Sequence, residues 1–294
     1  MLHIPDPFLS AIPLPEFHRS GLLDLDQPFR SEIPTAIHPI FHHQNFINLP
    51  SSATYALLLP SLQLATCLLT TPAALPCFFA LLHPSRRRPI RSGGLTQEYG
   101  RQCWRFDLKL GGISGQKMRW TAQMLLRLAQ GVRWRFGPAA GYYGITGACA
   151  ELPGLHGGGT VGAEVEFSLD YLGLLERWAG LHPERSAETY GRDEQLRDDP
   201  DGEKLAEASI LRTRFHLAKT MVHELCHAIK WATTPPQRTV AGDVEPPYEP
   251  FFVSQRLAEV GAAWEAVVFG GVINPLGEDV DARWGLGVEK WLKV

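Results

Sequence analysis

Residues 205–231 read LAEASILRTRFHLAKTMVHELCHAIKW, a stretch without proline or glycine. Ile210, Leu217, Ala218, Met221, Leu225, Ala228 and Ile229 recur at the spacing of one helix face, so the pattern predicts a single long helix over Leu205–Trp231. Near its end His223 and His227 lie one turn apart on one face, where both imidazoles can reach a single cation. Glu224 stands beside them, at the distance of a water held by that cation. Zinc ligated by two imidazoles and one further protein group keeps a place for water and lowers its pKa to about 7, and a nearby carboxylate can then take its proton. The spacing therefore points to His223 and His227 as ligands of one zinc per chain and to Glu224 as general base.

The residues around this motif narrow the reading. Thr220, Met221 and Val222 precede it and Ala228 and Ile229 follow it, all uncharged, and in this the sequence resembles the zincin metallopeptidases. The resemblance implies an α+β fold with a small mixed sheet, a long HExxH helix, and hydrolysis of peptide bonds in a peptide or protein substrate. Metzincins need glycine and histidine where Lys230 and Thr233 stand, so that branch is excluded. Gluzincins take a glutamate from a following helix, and Phe251–Phe269, stopped by Gly270 and Gly271, is the candidate helix, with Glu259 and Glu265. Six residues apart, the two differ by about 120° in direction and about 9 Å along the axis, so they cannot share one metal. Ala262, Ala263 and Ala266 would let the helix approach closely on the side of Glu259, which is preferred as third ligand. Glu265 could then hydrogen-bond a ligating histidine. Asp243, Glu245 and Glu249 are weaker candidates, because the intervening Thr233–Pro250, with five prolines, reads as a loop. In zincins an edge strand pairs with the extended substrate, and Val161–Ser168 is similar to it in position and pattern.

Upstream, Cys103–Leu110 and Val132–Phe136 alternate as strands around a helix over Lys117–Gln130. Glycine-rich turns at Gly141–Gly147 and Gly157–Gly159 bracket short extended pieces, Val161–Ser168 alternates as a strand, and Asp170 caps a helix running to Trp178. Residues 182–204 are almost wholly polar and read as a surface loop placed to act as a lid. The domain expectation is a Pro/His-rich extended arm over 1–50, an apolar helical hairpin over 51–92 and a zincin-like domain over 93–294. His216 reads as a surface histidine, Cys226 as a packed thiol, and Trp104, Trp120, Trp134, Trp178 and Trp264 as core. Tyr248 and Arg256 are candidate donors to an oxyanion.

Among the 294 residues, 28 Lys plus Arg against 31 Asp plus Glu leave a net charge of -3, which disfavours a dedicated polyanion binder, so no nucleic-acid partner is expected. Five scattered cysteines do not make a disulfide framework, and the first ten residues carry no signal-peptide pattern, so an intracellular, cytoplasmic location is expected. Ile33–Ser85 has no charged residue, but Pro60, Pro72 and Pro76 should split it into short buried helices, with Pro60 and Pro72 in first turns, so no membrane span is expected. Two alternatives accompany the peptidase reading. One is a catalytically silent zinc-binding or interaction module of the same fold; the other is a DNA-associated metalloprotease using Arg86–Arg91.

Overall fold

The structure, a computed structural model, describes residues 36–83, 86–89, 104–106, 113–138, 142–157, 159–180, 200–235, 237–238, 244–245, 249, 251–252, 259–276, 280, 282 and 285–289. All lie in the second of two units into which the chain divides, Pro34–Val294. Most of the polar segment 182–204, together with Arg91, Asp243, Tyr248 and Arg256, lies outside these residues.

The described residues form an α+β arrangement whose helices pack on a three-stranded mixed sheet. Strand β3 (Val132–Gly137) pairs in parallel with β5 (Val161–Ser168), and β4 (Gly144–Pro153) pairs antiparallel with the other side of β5. Alternation decides which face is which: Trp134, Phe136, Val165 and Phe167 are buried, while Arg135 on the opposite face pairs with Glu164 at 3.0 Å and with Glu166. Val161–Ser168 is thus the central strand, and the expectation that it forms the edge is corrected: the edge strand is β4, which contains the glycines expected to be turn residues. The sequence GITGACAELP has no alternation of its own and becomes a strand through its ladder with β5.

The opposite edge of the sheet is covered. Residues 39–41 and 43–45 form short 3-10 turns that bring Phe41 and Phe46 onto Trp134, whose indole N–H donates to the Ile40 carbonyl at 2.6 Å. The Ile47 N–H donates to the Trp134 carbonyl, and the Asn48 amide exchanges hydrogen bonds with both main-chain groups of Phe136. Unpaired strand groups attract other chains, so this cover leaves β4 as the open edge of the sheet among the described residues.

Helices pack on the buried face. They are α1 (Ser52–Thr70), α2 (Leu75–Leu82), α3 (Gly115–Leu128), α4 (Asp170–Trp178), α5 (Pro200–Thr233) and α6 (Val260–Phe269). Pro60 neither splits the run nor sits in a first turn as expected, but lies inside α1. It costs the helix one hydrogen bond, to the carbonyl of Ala56, and Ala56 is exposed, so water can replace the missing donor. Pro72 falls in the turn before α2, whose first turn holds Pro76 instead. By length and composition α1 could cross a membrane; here Leu58, Leu62, Ala65 and Leu69 turn one side of it into the core, where it lies along α5. Leu169 rather than Asp170 is the N-cap of α4, and Trp178 is partly exposed rather than core.

The long helix begins at Pro200, five residues before the expected start and inside the segment read as loop. At about 1.5 Å per residue its 34 residues span about 50 Å. Its second half is enclosed by α1, α2, β4, β5 and α6, so Leu217, Met221, Leu225, Cys226, Ala228 and Ile229 are fully buried. Small additional strands complete the described residues. β1 (Arg87–Pro89) pairs with β2 (Trp104–Phe106), and β2 with β8 (Phe251–Phe252). β6 (Gln237–Arg238) pairs with β7 (Val244–Glu245), and β9 (Val272–Pro275) with β10 (Leu286–Glu289).

Candidate metal centre

Enclosure of α5 makes its charged residues informative, because a buried charge is stable only when paired. His223 and His227 project on one face with ring centroids 5.3 Å apart. Glu259 meets them. Its Oε1 lies 2.7 Å from Nε2 of His227 and 3.5 Å from Nε2 of His223, and one ligand atom from each of the three residues falls within 4.8 Å of the others.

The path by which Glu259 arrives differs from expectation. Of the helix read over Phe251–Phe269, Phe251–Phe252 is a strand instead, and Glu259 is the extended N-cap of α6, accepting from the N–H groups of Gly261 and Ala262. Glutamate is not a favoured N-cap, and here it satisfies the helix end and faces the histidines with the same carboxylate. Burial pushes the Glu259 carboxyl up, but the hydrogen bond and charge of His227, the charge of His223 and the Ala262 N–H hold it down to about 2.

Both imidazoles are held from behind. Oε1 of Glu265 is 2.6 Å from His223 Nδ1 and 3.1 Å from the Lys219 ammonium, while its Oε2 accepts from the Ile273 N–H at 2.8 Å. Oε1 of Glu249 is 2.6 Å from His227 Nδ1 and 3.0 Å from the Lys230 ammonium, while its Oε2 accepts from the Val260 N–H at 2.9 Å. The two anchors repeat one design: one oxygen shared by an imidazole and a lysine, the other taken by main chain. Such carboxylates fix each ring as the Nδ1–H tautomer and leave Nε2 to a cation. Glu265 and Glu249, both weighed as ligands, therefore stand behind the histidines and outside the three-residue group.

Burial would push the Glu265 and Glu249 carboxyls up, yet the facing histidine and lysine in each case hold them down. Burial alone would push His227 down, but Glu249 and Glu259 on either side raise it well above its ordinary range. The space between the Nε2 atoms and Glu259 is thus a place where positive charge is stable, as a divalent cation site requires. Nitrogen and carboxylate oxygen are donors that zinc accepts, and three of them leave one tetrahedral position for water, so the residues present fit the ion.

Glu224 is buried, and β4 determines how it lies. The Thr146 hydroxyl donates to its Oε2 at 2.7 Å and is 3.1 Å from its main-chain carbonyl. Gly144 permits the contact, since a Cβ there would stand 2.8 Å from Glu224 Cγ. His216, expected at the surface, has no exposed area: its Nδ1 is 2.7 Å from the Tyr171 hydroxyl and its ring meets the edge of Tyr143. Cys226 is a packed thiol that donates to the Val222 carbonyl.

Sequence reasoning does not single out Thr146, Lys219, Lys230 or Gly261. The lysines carry a signal: they are charges four residues before His223 and three after His227, in a stretch otherwise built for burial. Compared with known proteins, the chain matches no family model, no curated protein and no solved structure.

Proposed function

We propose that the chain is a zinc-dependent peptidase in which His223, His227 and Glu259 hold one zinc and Glu224 is the general base. The observation that carries the reading is the convergence of three ligand atoms within 4.8 Å, from two helix positions and a helix cap, with both imidazoles anchored at Nδ1 by carboxylates. When bound, zinc supplies Lewis acidity, polarising a peptide carbonyl and acidifying water. Glu224 takes the proton of the attacking water and passes it to the departing amine. The open edge of β4 receives the substrate as an extended strand, the mode by which main-chain groups give affinity without demanding one sequence.

The presence of Glu224 favours catalysis over a silent zinc module. A structural zinc site is closed by a fourth protein ligand and has no use for a carboxylate beside an open position, and among the described residues the group has three members. The test is elemental analysis of purified protein with a peptide-library cleavage screen. Wild type should hold one zinc per chain and cleave, Glu259→Ala should lose the metal, and Glu224→Ala should keep the metal and lose cleavage. No zinc in wild type after reconstitution, or undiminished cleavage by Glu224→Ala, would overturn the reading.

A further inference from the structure

The edge strand and the general base are tied together at one residue. The Ser168 N–H donates to the carbonyl of Tyr143, just before β4, so Tyr143 turns its main chain toward β5. Main-chain groups alternate sides along an antiparallel strand, and the register Gly144↔Phe167, Thr146↔Val165 and Ala148↔Ala163 therefore points the N–H and C=O of Gly144, Thr146 and Ala148 at the open edge. These same residues send their side-chain positions to the face on which Glu224 lies, where the Thr146 hydroxyl holds Glu224 Oε2 and Gly144 leaves room for its Cγ.

We infer that Thr146 is a positioning residue: its hydroxyl fixes the Glu224 carboxylate while its main chain aligns an extended peptide on β4. Engaging Oε2 leaves Oε1 as the oxygen that works on the proton. Because one residue sets both the base and the strand register, the base stands at a constant height above whichever peptide bond is aligned there. The inference rests on the metal reading above. Among the described residues the hydrogen bond to the Glu224 carboxylate comes from Thr146, and this short hydroxyl–carboxylate bond is of the strong, charge-assisted kind.

The experiment uses the full chain loaded with Co2+, whose visible absorption reports the ligand geometry, and acetohydroxamate, a chelator too small to pair with β4 that gives its proton to an adjacent carboxylate. Thr146→Val, close to isosteric and suited to a strand, should keep cobalt affinity and the cobalt spectrum while weakening acetohydroxamate about tenfold, the scale of one hydrogen bond to a charged group. Thr146→Ser, which keeps the hydroxyl, should restore it. Gly144→Ala should weaken acetohydroxamate as well by displacing Glu224. Unchanged acetohydroxamate affinity in Thr146→Val would overturn the inference and leave the metal reading intact, and loss of cobalt in that variant would make Thr146 a structural residue of the centre instead. Failure of the wild type to bind cobalt or zinc would remove both.

Discussion

Gly261 is the point at which the centre is most sensitive to one added carbon. A Cβ at this position would lie over the His223 ring, 2.5 Å from both Cγ and Nε2, with Cδ2 also in its path. Ordinary contact begins near 3.4 Å, so the shortfall is about 1 Å, and no rotamer of an alanine can relieve it. The ring cannot yield freely, because Glu265 grips Nδ1 at 2.6 Å. If α6 yields instead, it carries Glu259 and Glu265 away together, and the 2.7 Å approach of Glu259 to His227 opens by a similar amount. We predict that Gly261→Ala lowers zinc affinity on the order of a hundredfold, the upper end of what a disturbed ligand support costs. Overpacking should cost about 1–3 kcal/mol of stability, offset by under about 1 kcal/mol of helix propensity. Gly173→Ala is the matched control, since Gly173 lies in α4, is exposed and has nothing within 4 Å of where the added methyl would stand. It should gain about 0.5–1 kcal/mol and leave zinc affinity unchanged. Competition with a fluorescent chelator and urea unfolding read the two quantities. Zinc affinity in Gly261→Ala within threefold of wild type would refute the reasoning.

Glu265→Gln should cost about 3–5 kcal/mol in urea unfolding, because it strands the Lys219 ammonium, whose side chain is 4% exposed, and it should lower zinc affinity by about ten- to a hundredfold. Glu249→Gln should cost less stability, since Lys230 also lies over the Trp231 ring, and a larger loss than in Glu265→Gln would contradict this ordering. Tyr171→Phe leaves His216 Nδ1 without its partner and should cost about 1–3 kcal/mol with zinc affinity unaltered, which thermal unfolding and chelator competition check together. His38 is pushed down from 6.5 to about 4 by burial, with the charge of His42 adding to it. Between these values the unfolded chain binds a proton that the folded chain refuses, so stability is full above pH 6.5 and falls as pH drops toward 4, by about 3 kcal/mol in all. His38→Asn retains a side-chain acceptor for the Ile40 N–H and should flatten that part of the pH–stability curve; an unchanged slope would count against it.

Whether a residue's role is legible in the sequence depends on whether that role is local. The helix of the HExxH motif, strands β3 and β5, and helix α4 follow from periodicity, because each buries one face and the chain must repeat apolar residues to do so. β4 carries no such repeat, and its extension is imposed by β5. The start of α6 escapes sequence reading because capping rules look for Ser, Thr, Asp or Asn, and a glutamate that reaches back to two N–H groups is not among them. Glu259 and Glu265, too far apart in sequence to share a metal from one helix, approach opposite nitrogens of the same imidazole, Nε2 and Nδ1 of His223. Glu249 ranks low in the sequence for lying among prolines, yet three partners, His227, Lys230 and the Val260 N–H, fix it as firmly as a helix would. None of those partners is near it in sequence, and no local rule reaches them.

The distribution of exposure bears on whether these charges are merely structural. Ion pairs that only stabilise a core gain nothing from an opening to solvent, and closing one over costs nothing in function. Here the supporting groups are the more enclosed: Glu265 and Lys219 are 0% and 4% exposed, Lys230 and Glu249 10% and 14%. His223, His227 and Glu259 are 20%, 17% and 28% exposed. The residues behind Nδ1 are thus more enclosed than the three whose ligand atoms converge. Charge follows the same division. Glu224, Glu249, Glu259 and Glu265 carry four negative charges and Lys219 and Lys230 two positive ones, so with neutral imidazoles the group is short by the charge of one divalent cation. Without a cation His227, raised by Glu249 and Glu259, takes up part of that deficit as a proton, and a divalent cation at Nε2 would displace the proton and balance the whole.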